Sequence, residues 1–133
     1  MFKAYNKVRM HDTDMAGILY FAKQFRYVHD AFEDLCESLG LGLDTLFHQE
    51  EFVFVIVHAE ADFLAPLRVG DLLEIEASLE KIGNSSFTID YNIYRQSDRC
   101  LVGTAKTVHV TLDQKSRKKI ELPAKLRALL SHF

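Results

Sequence analysis

The amino-acid sequence predicts an α+β fold, in which one long helix packs against a sheet of antiparallel strands. Between residues 21 and 39 the apolar residues recur every three or four positions, as they do on one face of a helix. Four segments after residue 51 have the pattern of strands, and short turns join them, so neighbouring strands should run antiparallel. The 133 residues fit one domain of ordinary size, and we expect residues 1–133 to fold as a single domain.

A strand and then the long helix are predicted for the first forty residues. Apolar and polar residues alternate from Phe2 to Met10, which predicts a strand that ends near His11. The helix follows a polar segment, and its apolar stripe is about five turns long. The stripe consists of Phe21, Phe25, Val28, Phe32, Leu35 and Leu39. Gly40 and Gly42 then end the helix.

Four strands and a short terminal helix are predicted for the rest of the chain. Residues 43–51 have only a weak amphipathic pattern, which leaves a short helix and a covering loop equally open. The predicted strands, of which the first can be straight or bent, cover residues 52–63, 73–80, 87–93 and 100–112. Residues 113–119 form a basic turn, and Pro123 marks the first position of a helix over residues 124–130.

Composition and charge exclude several classes of function. Lys plus Arg number 16 and Asp plus Glu number 19, a net charge of -3, so we expect no nucleic-acid partner. The longest apolar run, Phe52 to Val57, is far shorter than the roughly 20 residues that cross a bilayer. We therefore expect no membrane partner and a cytoplasmic location.

The spacing of cysteine and histidine does not indicate a metal centre. Cys36 and Cys100 are too few for a disulfide framework, and each lies in an apolar segment, so we expect two buried thiols. No H-E-x-x-H pattern occurs, and we expect no metal. The phosphate-binding patterns G-x-G-x-x-G and G-x-x-x-x-G-K-[ST] are absent, and so is the G-x-S-x-G of α/β-hydrolases. We expect no cofactor.

Two aspartates before the long helix form the clearest candidate site. Asp12 and Asp14 precede Gly17 and the helix start, where backbone N–H groups have no partner within the helix. Unpartnered N–H groups beside a carboxylate can stabilise a developing oxyanion next to that carboxylate. The alternative is that one aspartate caps the helix. Gly17 likewise either lets a ligand approach the backbone closely or serves a tight turn.

The same segment resembles a known family. Residues 12–21 read Asp-Thr-Asp-Met-Ala-Gly-Ile-Leu-Tyr-Phe and fit the D-x-D-x-x-G-[IV]-[VL]-[YF]-[YF] signature of hot-dog-fold thioesterases of the 4-hydroxybenzoyl-CoA thioesterase type. Residues 62–73 and 113–123 resemble two further segments of that family, so the resemblance covers essentially the whole chain. It implies a hot-dog fold, in which a five-stranded antiparallel sheet wraps around one long central helix.

The resemblance also implies roles for individual residues. Asp14 would be the catalytic carboxylate, acting as nucleophile or as general base toward water. The backbone N–H of Phe21 would polarise the thioester carbonyl, and such a donor is worth roughly 3 kcal/mol in the transition state. Gly17 would leave room for the substrate beside the backbone, and Tyr20 would contact the substrate. Asp12 would support the site or cap the helix. Coenzyme A enters only as part of the substrate.

Binding the phosphates of coenzyme A is where this sequence departs from the family. The 4-hydroxybenzoyl-CoA thioesterase that gives the family its name has a basic cluster at the turn that corresponds to Gly83-Asn84-Ser85. In this sequence Asn84 and Ser85 offer only neutral hydrogen bonds there. Lys118, in the basic turn, falls where that member has an arginine, and we expect it to help bind the phosphates. The alternative, equally consistent with the sequence, is that Lys118 is only a solvated residue of a hairpin turn.

One histidine is a candidate for contact with the acyl group of the substrate. Val57-His58-Ala59 ahead of Asp-Phe-x-Ala-Pro resembles the branch of the family that acts on 1,4-dihydroxy-2-naphthoyl-CoA, and His58 would then line the acyl pocket. The alternative is a structural histidine on a strand.

The predicted function is hydrolysis of an aromatic acyl-CoA, such as 1,4-dihydroxy-2-naphthoyl-CoA or 4-hydroxybenzoyl-CoA, to the free acid and CoA. The alternatives are a thioesterase for short or medium fatty acyl-CoA or for acyl-carrier protein, and a non-catalytic acyl-CoA binding module. A dehydratase of the same fold is disfavoured, because residues 12–21 contain no histidine. The resemblance implies a homodimer or homotetramer whose active site forms where two subunits meet.

Overall fold

Five strands form a single antiparallel sheet that packs on one long helix. The computed structural model describes the backbone of residues 1–133 and every side chain except that of residue 43. In chain order the elements are β1 (Phe2–Lys7), α1 (Gln24–Ser38), α2 (Leu43–Gln49), β2 (Phe52–Phe63), β3 (Leu72–Ile82), β4 (Ser86–Arg95), β5 (Leu101–Asp113) and α3 (Ala124–Leu130). The order across the sheet is β1-β3-β4-β5-β2, and every neighbouring pair is antiparallel. The predicted α+β class is confirmed.

The inner face of the sheet and one face of α1 form the core. Alternate residues of β3 and β4 are almost completely buried, and Val28, Phe32 and Leu35 of the predicted stripe pack against them. The buried sheet residues include Leu73, Ile75, Ala77, Phe87, Ile89, Tyr91 and Ile93. Burial of so many large apolar side chains is the main favourable term in folding, so the period-2 and period-3.6 patterns fix the fold.

The first strand is shorter than predicted. β1 ends at Lys7, and a 3-10 turn at Met10–Asp12 follows it. The prediction that the strand continues to His11 is wrong, because the carboxylate of Asp12 accepts a hydrogen bond of 2.9 Å from the Arg9 N–H and turns the chain there.

The helix also starts later than its apolar stripe. Residues Phe21–Lys23 form a 3-10 turn and the α-helix begins at Gln24. Phe21, the first predicted stripe residue, is 58% exposed and does not join the core. At the other end Gly40 has a φ of 78°, and the Leu41 N–H reaches back 2.8 Å to the Cys36 carbonyl, which ends the helix as predicted.

Several smaller predictions can be compared with the structure. β2 is one strand over the predicted residues 52–63, and its pairing with β5 shifts register between Ile56 and His58. The α3 helix has the predicted bounds, although Pro123 is its N-cap and not its first helical residue. Cys36 is buried as expected, whereas Cys100 is only half-buried.

Candidate active site

The loop between β1 and α1 carries the two aspartates and is fastened to the rest of the fold by backbone hydrogen bonds. The Leu19 N–H donates to the Leu67 carbonyl and the Tyr20 N–H donates to the Asp12 carbonyl, each at a distance of 2.8 Å. Thr13 and Leu19 also form an isolated bridge, so the loop folds back on itself. Asp14 lies at the tip of this fold-back.

Asp12 anchors this loop to the long helix. Its carboxylate is buried and accepts hydrogen bonds from Arg26 Nε at 3.0 Å, from the Tyr27 hydroxyl at 2.9 Å and from the Arg9 N–H. Burial by itself disfavours the charged carboxylate, but the bonds from Arg26, Arg9 and Tyr27 outweigh it and lower the pKa of Asp12 to about 2. Asp12 therefore stays charged and is fully occupied by contacts within the fold.

Asp14 has the opposite environment. Its side chain is exposed, and its Oδ1 accepts one hydrogen bond of 2.8 Å, from the Ala16 N–H. The Gly17 N–H donates to the Asp14 carbonyl at 3.0 Å, and Gly17 has a φ of 79°. A Cβ on Gly17 would meet no atom within 4 Å, so the turn requires glycine for its backbone angle and not for space inside this chain.

Phe21 lines the same cleft as Asp14. Phe21 is the first residue of the 3-10 turn, where the N–H has no partner within the helix, and no acceptor among the described residues takes it. The cleft is open, has a volume of about 450 Å³ and is mostly apolar. Its walls include Asp14, Leu19, Phe21, Phe63, Leu64 and Pro66. The arrangement offers a carboxylate and a hydrogen-bond donor to the same ligand.

Gln24 is a residue of this cleft that the sequence analysis missed. It is buried, and its Nε2 donates to the Asp62 carbonyl at 3.0 Å and to the Thr104 carbonyl at 3.1 Å. A Cβ on Gly103 would lie 2.7 Å from the Gln24 amide atoms, so β5 needs glycine there. An isolated glycine inside a strand pattern signals such a close approach, and Gly103 was the available clue.

Two of the remaining predicted site residues, Tyr20 and His58, are exposed at different distances from the cleft. Tyr20 is exposed beside the cleft, with its ring centroid 4.9 Å from that of Phe21. His58 is also exposed, but it lies on β2 opposite Val108, several residues from the cleft, with its Nε2 3.8 Å from Glu60.

Asn84, Ser85 and Lys118 lie at the opposite end of the sheet. The Asn84 carbonyl accepts from the Leu122 N–H, the Ser85 carbonyl accepts from the Thr111 N–H, and the Lys118 carbonyl accepts from the Asp113 N–H. Asp113 pairs with the first residue of β2, whereas the Asp14 cleft adjoins the last one. Since β2 spans residues 52–63, the two ends are roughly 35 Å apart. One chain does not bring these residues to Asp14.

Among the described residues, no group of three or more His, Cys, Asp or Glu side chains is arranged to hold a metal ion. No helix in the described part of the chain has the length and apolarity needed to cross a membrane.

Comparison with known proteins identifies the family. The model of the thioesterase-like superfamily matches residues 8–130. A 1,4-dihydroxy-2-naphthoyl-CoA hydrolase of Nostoc punctiforme is 42% identical over 120 residues, which cover 90% of this chain and 80% of the relative. The enzyme of the same name from Synechococcus elongatus is 36% identical, over 90% of this chain and 88% of the relative.

A solved structure supports the same assignment. The crystal structure of Slr0204, a 1,4-dihydroxy-2-naphthoyl-CoA thioesterase from Synechocystis, has a TM-score of 0.90 and 30% sequence identity. The match covers 99% of this chain and 96% of that one. With the hot-dog arrangement of sheet and helix and with a matching family model over most of its length, the chain belongs to the thioesterase-like superfamily and is a thioester hydrolase.

Proposed function

We propose that this chain hydrolyses 1,4-dihydroxy-2-naphthoyl-CoA to the free acid and CoA. The observation that carries the proposal is the cleft lined by both Asp14, whose side chain is exposed, and Phe21, whose backbone N–H has no acceptor among the described residues. The choice of acyl group is supported by the relatives named above, which are called hydrolases or thioesterases of this ester.

The proposed reaction needs only a base and an oxyanion donor. Asp14 takes a proton from a water molecule whose oxygen attacks the thioester carbonyl carbon. The Phe21 N–H donates to the carbonyl oxygen as it becomes negative, and its position in the 3-10 turn immediately before α1 adds the helix dipole in the same direction. The tetrahedral intermediate then collapses, the carbon–sulfur bond breaks, and the thiolate of CoA takes up the proton. Attack by the Asp14 carboxylate itself, followed by hydrolysis of the anhydride, gives the same products.

Thiol release from a panel of CoA thioesters tests the reaction and the acyl group together. The panel contains dihydroxynaphthoyl, benzoyl, hexanoyl and palmitoyl esters, and the proteins are the wild type, Asp14→Asn, and Asp44→Asn as an exposed control. We expect the highest kcat/KM for the naphthoyl ester, a loss of at least a hundredfold in Asp14→Asn with CoA binding retained, and no change in the control. Preference for an alkyl ester would overturn the assigned acyl group, and wild type without turnover would favour a binding module.

We also propose that the working unit is a homodimer formed through β2. This strand is an edge of the sheet, and Val55, Ile56 and Val57 on it are 38%, 45% and 58% exposed. A long apolar edge strand with unpaired backbone groups readily pairs with a copy of itself, and a two-fold axis closes that pairing.

The two-fold arrangement accounts for the distant predicted residues. Antiparallel pairing of β2 with its copy places the start of the partner's strand beside the end of this one. Lys118 and the turn at Asn84 and Ser85 lie at the start of β2, so each subunit would present them to the Asp14 cleft of the other. The proposed site therefore takes its catalytic carboxylate from one subunit and its phosphate contacts from the second.

A cytoplasmic location is part of the proposal. Both cysteines are free, as is usual in a reducing compartment, and two are too few for a disulfide framework.

A further inference from the structure

Gln24 lines the Asp14 cleft, and its side-chain amide is held in one orientation. The side chain is 2% exposed, and its Nε2 donates to the Asp62 carbonyl at 3.0 Å and to the Thr104 carbonyl at 3.1 Å. An amide nitrogen carries two hydrogens, so these two carbonyls take both of them. Turning the amide over would bring Oε1 against the same two carbonyl oxygens. The strands β2 and β5 therefore fix the direction in which Oε1 points.

The Oε1 of Gln24 is an acceptor that the fold leaves without a partner. No donor among the described residues reaches it. In the described part of the chain, the side-chain atoms that lack both a partner and contact with solvent are His109 Nδ1 and Gln114 Oε1. Gln24 Oε1 is not one of these, so it keeps contact with open space, which is the cleft that Gln24 lines. Polar atoms of buried side chains are nearly always paired, so this acceptor indicates a ligand with a hydrogen to donate.

The position of the amide is close to the Phe21 backbone. Gln24 is the first residue of α1, and Phe21 begins the 3-10 turn directly before it. Side chains of a helix lean toward its N-terminus, which directs the Gln24 side chain over that turn. The Phe63 ring lies 6.0 Å from the Phe21 ring, and Phe63 pairs with Gly103, on which the Gln24 amide rests. Asp14 lines the same cleft, which therefore has two acceptors.

The chemistry of thioester hydrolysis limits what can donate to this acceptor. The carbonyl carbon, the oxygen and the sulfur of a thioester carry no hydrogen, whereas the attacking water carries two. A water molecule that gives one hydrogen to each of two acceptors has its lone pairs directed away from both. With Asp14 as its only acceptor, the water is free to turn about that bond, and correct orientation of a reactant is a large part of catalysis.

We propose that Gln24 Oε1 accepts one hydrogen of the attacking water while Asp14 accepts the other, so that the water oxygen faces the thioester carbonyl carbon. The inference rests on the proposed function and specifies how its nucleophile is held. As the oxygen–carbon bond forms, Asp14 takes its hydrogen as a proton, which later passes to the thiolate of CoA. The hydrogen bonded to Gln24 stays on the oxygen and becomes the hydroxyl hydrogen of the acid. Gln24 is then a catalytic residue.

Methanol as a competing nucleophile distinguishes this role from a structural one. Its hydroxyl has one hydrogen, which Asp14 takes, so its methyl group has to face Oε1. Wild type in dilute methanol should therefore release acid and almost no methyl ester. Gln24→Met has a side chain of similar length without the acceptor. We expect kcat for hydrolysis to fall about tenfold, KM to stay within twofold, and the ratio of methyl ester to acid to rise at least tenfold.

The product ratio does not depend on how much of the protein is folded, so a loss of stability does not change it. Gln96→Met is the matched control, because Gln96 Nε2 also donates to a backbone carbonyl, that of Leu73 at 3.0 Å, but Gln96 lies outside the cleft. Neither its rate nor its product ratio should change. Gln24→Glu keeps an acceptor oxygen and, when protonated, a donor for one carbonyl. At mildly acidic pH it should keep the product ratio of wild type.

Slower hydrolysis by Gln24→Met with an unchanged product ratio would overturn the role of Gln24 in holding water and leave it only a structural one. The ratios are measured with dihydroxynaphthoyl-CoA and with benzoyl-CoA, which has no ring hydroxyl. An effect confined to the first ester would show that Oε1 binds a ring hydroxyl and would also overturn the inference. Wild type that forms methyl ester in proportion to the methanol contradicts it without any variant. Wild type that turns over neither ester contradicts the proposed function itself.

Discussion

Two aspartates separated by one residue have opposite roles because their surroundings differ. Asp12 is buried and saturated with donors from Arg9, Arg26 and Tyr27, whereas Asp14 is exposed with one backbone contact. The D-x-D pattern marks both residues, but it does not say which one is buried. Burial of Asp12 depends on side chains of the helix, which local sequence does not place, so only the resemblance distinguished the two.

Asp12→Asn should destabilise the protein while Asp14→Asn should not. Replacing the buried carboxylate removes the buried counter-charge of Arg26, which keeps only the more exposed Asp30, and costs about 2–3 kcal/mol. The exposed change at position 14 should stay within about 0.5 kcal/mol. Urea denaturation at pH 7 measures both, and equal stability of the two variants would contradict the anchoring role.

The pKa of Asp12 also predicts acid sensitivity. The folded pKa of about 2 is below the ordinary aspartate value of 3.8, so the unfolded chain binds more protons between these values. The stabilisation from Asp12 is therefore present above about pH 4 and lost as the pH falls toward 2.

Buried His109 should dominate acid sensitivity at milder pH. Its folded pKa of about 3 is below the ordinary histidine value of 6.5, so acid favours the unfolded chain, in which the histidine is charged. Between pH 7 and pH 5 we expect a loss of about 2 kcal/mol. His109→Phe should remove this slope in thermal unfolding curves, and His132→Phe, an exposed control, should keep it. A slope unchanged by His109→Phe would show that other groups cause it.

At the scale of elements, Gln24 fastens the start of α1 to two strands at once. Its amide bridges carbonyls at the end of β2 and near the start of β5, beside the Asp14 cleft. The helix end that carries the Phe21 N–H is thereby fixed relative to the sheet, as a preorganised donor requires.

Alanine in place of two glycines should destabilise the protein, for different reasons and to different degrees. Gly103→Ala places a Cβ 2.7 Å from the Gln24 amide and should cost about 2–3 kcal/mol through overpacking and lost hydrogen bonds. Gly17→Ala meets open space and should cost about 1 kcal/mol for its left-handed backbone. Combining Gly103→Ala with Gln24→Ala should recover part of the loss, and strict additivity in denaturation experiments would contradict the clash.

Periodicity predicted most elements because each is half-buried against one core. The strands 52–63 and 100–112 and the helix 124–130 agree with the structure to within a residue or two at each end. The end of β1 was missed because the contacts that hold the Asp12 carboxylate in place, from Arg26 and Tyr27 of α1, are tertiary. The apolar run from Phe52 to Val57 lies in a strand as predicted, yet residues 55–57 are exposed in the single chain.

At the scale of the molecule, this exposed edge predicts the oligomeric state. Val57→Lys should convert a dimer to a monomer, because it places a charge in the centre of the proposed β2 contact. Tyr5→Lys, on the opposite edge strand β1 and 60% exposed, is the matched control and should stay dimeric. Light scattering after gel filtration measures both. A wild type that is monomeric at micromolar concentration would contradict the dimer.

Mixing two differently impaired variants tests whether one site uses both subunits. Lys118→Glu should raise KM for the CoA ester about tenfold and leave a pantetheine thioester unchanged, while Lys3→Glu on β1 should affect neither. Co-refolded Asp14→Asn and Lys118→Glu chains form heterodimers with one intact site, because Asp14 comes from one chain and Lys118 from the other. Activity at low substrate should recover to about a quarter of wild type. No recovery would show that both residues serve the same subunit's site.

The strand order β1-β3-β4-β5-β2 has a consequence for the nascent chain on the ribosome. Within the chain β2 pairs only with β5, and β5 begins at Leu101, long after β2 has ended at Phe63. At the usual rates of translation β2 waits on the order of seconds before its neighbour is synthesised. During that interval both of its edges and its valine- and isoleucine-rich centre are open, so incomplete chains should be far more prone to aggregate than the finished protein.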